Sequence, residues 1–383
     1  MESLWNGDKD KAQSSMKLLI ITHSLRYNYG GILQNFALQQ VLQRWDMDVT
    51  TLKLRRKIPY MLFVWEYIKY FIRLCLGRKS GKPLKTSDIN QICQETDIFI
   101  DKYIKMSPAM NLIDKLWIRN QHFDGIIVGS DQVLHPASYS PIEDIYLSFI
   151  DNVKKIIYAG SFGFDSWKYT DRQTLRCSKL LKDFVGISSR EQKGVHFFSE
   201  NLGFSAELVL DPTLLLLKED YQRFVDKAPQ TSGLVTYILD QCEYKKEIIS
   251  RISEQLHLDI VSASNEHMDN PMSSPGQRKA NSVESWLTQL FNSEYIVTDS
   301  FHGTCFAIIF EKNFVTIANG ERGLDRFTTL LSRLGLENRL VYSVSDISIS
   351  QFEPIDYKRV NSVIEPLRRH SLSFLNESIN QPL

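Results

Sequence analysis

In the run Thr298, Asp299, Ser300, Phe301, His302, Gly303, an imidazole sits where an apolar stretch stops and a helix is due to begin near Gly303. Imidazole is the side chain whose ordinary pKa suits proton transfer near neutrality, and a helix start adds unpaired backbone N–H groups beside it. A lone histidine is usually structural. Flanked by Asp299, Ser300 and Gly303 it reads as a functional group, with Asp299 either capping the helix or orienting the ring. Arg190, in Ser188-Ser-Arg-Glu191, carries a planar fork suited to a carboxylate or phosphate. The structural alternative is a local pairing with Glu191 or a bridge to another helix. Asp131 and Gln132, in Gly129-Ser-Asp-Gln-Val133, are short polar groups that can hold sugar hydroxyls, unless Asp131 only caps a turn. The stretch from His23 to Gly31 leads into a helix; Gly30 and Gly31 permit close backbone approach there, for an anion or for a purely structural turn. Arg322 and Arg326 flank a glycine-containing loop ahead of another helix, where either reaches a cleft or is simply solvated.

These loops need elements to hold them, and the hydrophobic pattern supplies a consistent set. Short apolar runs read as strands at Lys17 to Thr22, Val49 to Leu54, Phe123 to Val128, Lys155 to Ala159, Phe184 to Ser188 and Ala206 to Leu210. Amphipathic stretches between them read as helices, including Gly31 to Arg44 and Asp88 to Tyr103. After Asp211-Pro-Thr213 forces a turn, a linker is expected around Leu217 to Gln230. The alternation then restarts, with strands at Leu234 to Leu239, Leu258 to Ser262, Tyr295 to Thr298 and Phe314 to Ala318. Helices are expected at Glu243 to Leu256, Val283 to Asn292, Gly303 to Glu311 and Asp325 to Gly335. Such alternation implies α/β architecture with parallel sheets covered on both faces. Two halves of this kind predict two Rossmann-like domains facing across a cleft, with ligands at the carboxyl ends of the strands. The expected division is a disordered extension over 1–15, domains over 16–220 and 221–355, and a C-terminal helix and tail over 356–383.

Composition narrows the chemistry. At 383 residues the chain suits two domains, and 43% hydrophobic with 23% charged residues is a water-soluble, globular balance. Lys plus Arg and Asp plus Glu number 45 each, without the basic excess of a nucleic-acid binder. Five scattered cysteines without a CxxC pair argue for free thiols in a reducing compartment and against zinc. The polar N-terminus lacks a secretory h-region, which points to the cytoplasm and makes the Asn376-Glu-Ser378 sequon a chance match. No G-x-S-x-G elbow and no His/acid cluster at metal spacing occurs.

One segment, Tyr60 to Leu76, is strongly apolar but interrupted by Glu66, Lys69 and Arg73, and it falls short of the roughly 20 residues a span needs. Two readings stay open. One is a buried or interface helix. The other is a helix lying on the inner membrane surface, aided by Arg55, Arg56, Lys57, Arg78, Lys79, Lys82 and Lys85.

Taken together the loops resemble the polysaccharide pyruvyl transferase family, over about Lys17 to Leu340. The marks are Asn28-Tyr-Gly-Gly-Ile-Leu-Gln34 with Ala37-Leu-Gln39, then Val128 to Val133, Ser189-Arg-Glu191, Asp211-Pro-Thr213, and Thr298 to Thr304 before an apolar helix. Each is weak alone; their order and spacing are specific. One departure is Leu134, where relatives often carry Trp, which bears on acceptor stacking. The resemblance implies transfer of a pyruvyl group from phosphoenolpyruvate to a sugar, usually as a cyclic ketal, in a GT-B-like architecture with no cofactor and no metal. It implies a donor site of Arg190, Ser300, His302, Gly303 and Arg326, with His302 and Arg190 catalytic and His302 acting as acid or as phosphate ligand. It implies an acceptor side of Asn28, Tyr29, Gly30, Gly31, Asp131 and Gln132, facing a sugar that is free or lipid-linked. The rival expectations are a GT-B-type glycosyltransferase using a nucleotide sugar and a non-catalytic partner in polysaccharide assembly.

Overall fold

A computed structural model describes residues 15–55, 60–78, 80–226, 233–265, 267–268, 270–320 and 323–382. The expected N-terminal extension, apart from residue 15, and Arg322 therefore lie outside the described residues, as do Arg56, Lys57, Lys79 and part of the expected linker. Two all-parallel sheets organise the rest. The first runs β2-β1-β3-β4-β5-β6, with β1 Lys17–Ile21, β2 Asp48–Thr51, β3 Gly125–Asp131, β4 Lys154–Gly160, β5 Phe184–Ser189 and β6 Glu207–Leu208. The second runs β11-β10-β9-β7-β8, with β7 Leu234–Tyr237, β8 Ile260–Ser262, β9 Tyr295–Thr298, β10 Asn313–Ile317 and β11 Leu340–Val341.

The central strands are near-continuous apolar runs because helices cover both faces of each sheet, whereas the edge strands β2, β6 and β8 are more polar or less buried. In β3 and β9 every residue is buried. In each sheet the strand order reverses beside the first strand, between β1 and β3 and between β7 and β9. Crevices that take ligands open at such reversals.

Six helices frame the site and its surroundings: α1 Tyr29–Arg44, α2 Tyr60–Cys75, α3 Val283–Asn292, α4 Phe301–Ile309, α5 Asp325–Leu334 and α6 Tyr357–Asn380. The last of these leaves the second sheet and returns to the first. There Ser371 Oγ accepts from the Leu210 amide at 2.9 Å, and Lys154 Nζ donates to the Ile379 carbonyl at 2.6 Å.

Differences from the sequence reading have local causes. The helix expected over Asp88 to Tyr103 is two helices, Thr86–Ile92 and Gln94–Tyr103, and the Ile92 carbonyl accepts from the Ala280 amide of the other domain. The strand expected over Ala206 to Leu210 shrinks to two residues, since Leu210 N turns to Ser371 instead. The helix expected from Gly303 starts two residues earlier, because Ser300 Oγ accepts from Gly303 N and caps it. Burial of α2 does not occur: none of its described side chains is buried.

One continuous core joins the two sheets' helices. Tyr29, at the start of α1, stacks on Trp286 of α3 at a centroid distance of 5.3 Å, and its hydroxyl donates to the Asn281 carbonyl at 3.0 Å. Trp286 also meets Tyr237 and Phe306 edge-on, both at 5.2 Å, and is fully buried. Trp286→Ala would open a cavity at this junction. We expect a loss of about 3–5 kcal/mol, read from the midpoint of urea unfolding.

Candidate active site

Parallel strands end on one edge, so the residues that follow β3, β5 and β6 come together without any long loop. Arg190 follows β5. Its Nη2 donates to Asp131 Oδ1 at 2.8 Å and its Nη1 to Asp211 Oδ2 at 2.7 Å. Asp131 ends β3 with φ +75°, a left-handed conformation that a non-glycine residue holds only when its surroundings impose it. Gly129 two residues earlier has φ +123°, and a Cβ there would lie 2.2 Å from the Tyr158 carbonyl oxygen. Asp211 sits in the turn after β6, where its Oδ1 accepts from Thr213 N at 3.0 Å and Thr213 Oγ1 at 2.8 Å.

These are buried charges, and burial alone would push both carboxyls up. Arg190 and His302 reverse this and hold Asp131 and Asp211 well below the usual carboxylate range. Burial likewise works against the guanidinium charge, but Asp131, Asp211 and Glu191 hold Arg190 even more firmly protonated than usual. Burial raises Glu191, whose Oε1 accepts from Ser161 Oγ at 2.9 Å and Phe162 N at 3.1 Å.

His302 arrives from the other domain, in the first turn of α4. Its Nε2 stands 3.6 Å from Asp211 Oδ2, a Coulombic pair too long for a direct hydrogen bond, and that nitrogen is buried without a partner. Arg190 Nε is likewise buried and unpartnered. Two donors with unused capacity thus remain in one cluster. The other face of the imidazole rests on α1: a Cβ at Gly30 would fall 2.0 Å from His302 Nδ1. Gly30 is therefore required by His302, and any other residue would displace the ring.

Phe301 lies between cations, with the Arg190 guanidinium 4.7 Å and the Arg326 guanidinium 5.6 Å from its ring centre. The side chains differ in reach. Arg190 is 1% exposed and Asp211 0%, whereas His302 is 7% and Asp131 10% exposed. Within the charged cluster His302, Asp131 and Arg326 keep a small edge toward solvent, and Asp211 acts only through its neighbours.

The structure brings His302, Arg190, Asp131 and Arg326 into one cluster. Other expected residues hold local positions. Asn28 caps α1 by accepting from Gly31 N at 3.2 Å. Tyr29 is buried in the interdomain core. Ser300 caps α4, and Gly303 is pressed against Thr298, where a Cβ would lie 2.3 Å from Oγ1. Gln132 packs over Gly163. Asp299 neither caps α4 nor touches the imidazole. Its carboxylate accepts from the Leu239 and Asp240 amides at 2.7 and 3.1 Å and from Lys245 Nζ at 2.7 Å, fixing the end of β7. Sequence reasoning gave Asp211 only a turn, Phe301 no role, and Glu191 only a local pairing with Arg190. Their signal was adjacency to Pro212, His302 and Arg190. Among the described residues, no group of three or more His, Cys, Asp or Glu is arranged to hold a metal.

Residues 28–321 match the family model of polysaccharide pyruvyl transferase. A comparison with curated proteins finds no match. Among solved structures the chain is similar to the S. aureus MnaA–UDP co-structure, with TM-score 0.52 and 11% identity over 96% of this chain and 99% of that one. It is also similar to UDP-GlcNAc 2-epimerase from Neisseria meningitidis bound to UDP-GlcNAc, with TM-score 0.48 and 10% identity over 95% and 99%. At such identity the first of these speaks for the fold alone: two Rossmann-like domains in a GT-B-like arrangement.

Arg190→Met would leave two buried carboxylates facing each other, and a stability loss of about 3–5 kcal/mol is expected in denaturant unfolding. A carboxyl held below its unfolded value of about 3.9 adds stability that is present above that value and lost as pH falls through the folded one. Asp211→Asn should therefore lower the melting temperature by a similar amount from about pH 8 to about pH 5. The gap to the wild type should shrink progressively below about pH 4.

Proposed function

This chain belongs to the polysaccharide pyruvyl transferase family, and on that premise we propose that it moves a pyruvyl group from phosphoenolpyruvate to two hydroxyls of a sugar. The product is a cyclic ketal on a cell-surface polysaccharide or its precursor, made in the cytoplasm without a cofactor. The observation that carries this reading is His302 at the N-terminus of α4, its buried Nε2 without a hydrogen-bond partner, next to Phe301 and the two arginines over that ring.

Phosphoenolpyruvate brings a carboxylate and a phosphate, and both need positive charge. The α4 N-terminus offers its dipole and backbone N–H groups, and Arg326 and the free Nε of Arg190 add cations. His302 then donates a proton to the methylene carbon, which becomes a methyl group and leaves an oxocarbenium at the carbon bearing the phosphate. One sugar hydroxyl adds to that carbon and loses its proton. Phosphate departs with the C–O bonding pair, and the second hydroxyl adds in turn, closing the ketal. The proton supplied to the methylene and the two released by the hydroxyls leave one for the phosphate and one to restore His302.

Asp131 is held so firmly ionised that it is a weak base. Its role in this scheme is to accept a hydrogen bond from an acceptor hydroxyl. Arg190, with both Nη atoms on carboxylates, mainly sets the charge of the pocket and keeps Asp131 and Asp211 in place.

The test is incubation with phosphoenolpyruvate and a panel of saccharides, following phosphate release and ketal formation by mass spectrometry. Turnover with a nucleotide sugar in its place would refute the pyruvyl reading. His302→Ala should lower kcat by about 100-fold or more. A loss confined to KM for phosphoenolpyruvate would instead make His302 a phosphate ligand. Gly30→Ala, which drives a methyl group into the imidazole, should match His302→Ala in kcat while circular dichroism stays that of the wild type.

A further inference from the structure

Between β2 and the first domain's next helices the chain makes an excursion that the site does not use. Within it, α2 carries Met61, Trp65, Ile68 and Ile72, followed by Leu76, at steps of four, three, four and four residues, so all five line one face. Those five side chains are between 45% and 77% exposed. A stripe of this length on a water-facing helix is costly unless something covers it. The helix does not span a bilayer: no helix among the described residues is long and apolar enough to cross a membrane.

Charge identifies the cover. From Arg55 to Lys85 the sequence holds nine Lys or Arg and one acid, Glu66, in a chain whose formal net charge is zero. Lys69, paired with Glu66 at 2.8 Å, and Arg73 flank the apolar stripe on the helix, and Lys82 and Lys85 lie 5.9 Å over the rings of Tyr67 and Phe63 on the helix's far side. An apolar face with tryptophan, bordered by cations and almost without acids, is complementary to a lipid surface with anionic headgroups. A protein partner or a second copy of this chain would have to bring the negative charge itself.

The placement of the helix agrees with such a role. The excursion leaves β2 at the carboxyl edge of the sheet, where Ser24, just after β1, donates to the Leu54 carbonyl. It reaches the second domain at its other end, where a Cβ on Gly81 would lie 2.3 Å from the Pro271 carbonyl oxygen. It therefore links the carboxyl edge of the first sheet to the loop that follows β8 in the second domain. We propose that α2 and its flanking cations dock the enzyme on an anionic membrane surface, seated in the headgroup layer through Trp65, Ile68 and Ile72. Resting on the reading of the site above, this docking would deliver a lipid-anchored acceptor sugar to the cleft.

Vesicle binding tests the docking with no substrate present, so it succeeds or fails independently of the transferase reading. The full chain is sedimented with vesicles of phosphatidylcholine alone or of phosphatidylcholine and phosphatidylglycerol. Binding is expected on the mixed vesicles only, and it should fall at least tenfold for Trp65→Glu/Ile68→Glu/Ile72→Glu. It should also fall on raising salt from about 0.1 M to about 1 M, where the Debye length shrinks from about 10 Å to about 3 Å. Lys69→Glu/Arg73→Glu, which leaves the apolar stripe intact, should lose the preference for anionic lipid. Absence of wild-type binding, or binding unchanged in both variants, would overturn the proposal. So would a dimer in sedimentation velocity that the triple variant dissociates while no vesicle binding is seen, since the stripe would then be covered by a second copy.

Discussion

A buried guanidinium shared between two buried carboxylates is the constraint on which the rest of the site depends. Arg190 could not be buried at 1% exposure without Asp131 and Asp211 to offset its charge, nor could they without it. Each of the three belongs to a different segment of the first domain: the end of β3, the end of β5 and the turn after β6. Their union therefore demands the observed strand order, with β4 alone between β3 and β5 and β6 at the edge. The left-handed backbone at Asp131 and the glycine at 129 are consequences, since the chain must turn there to aim the carboxylate inward. Arg190 is in this sense first a structural cation, and its chemistry follows from the field it creates.

That constraint reaches the second domain through Asp211, which lies under His302. It reaches the same histidine from the opposite side through Gly30. The imidazole is clamped between a carboxylate and a backbone of the first domain while its own helix belongs to the second. Phe301 completes the clamp by offering a π-face to two arginines that would otherwise repel each other. The unused valences of the cluster are thus few and directed.

Much of the fold was legible in sequence because parallel strands buried on both faces are simple apolar runs. Helix and strand limits for Glu243–Leu256, Val283–Asn292 and Tyr295–Thr298 could be read to the residue. The positions of Arg190, Asp131 and His302 at strand ends were legible for the same reason. What those side chains touch was not, because pairing across β3, β5 and β6 depends on sheet order, and local spacing carries no trace of it. Asp299 shows the limit well: close to His302 in sequence, it points to Lys245 and the β7 loop. Gly30 shows it in reverse. A glycine at a helix start suggests close approach of a ligand, and here the close approach is by a histidine of the other domain. The exposure of α2 was legible only as a tension between its apolar content and its three charges, one that burial would not have resolved.

The interdomain core and the site are mechanically linked by two consecutive residues. Tyr29 stacks on Trp286 while Gly30 supports His302, so α1 begins in contact with both the second domain's core and its candidate catalytic group. A rotation of one domain that lifts His302 from Gly30 must also slide Tyr29 along Trp286 and break its bond to the Asn281 carbonyl. Asp211 would at the same time lose the imidazole beside it, and part of the positive field that offsets its burial. Opening of the cleft therefore carries an electrostatic cost as well as a packing cost. A bound anion, by supplying charge that the α4 N-terminus and both arginines can meet, would favour the arrangement in which the two domains stand as they do here.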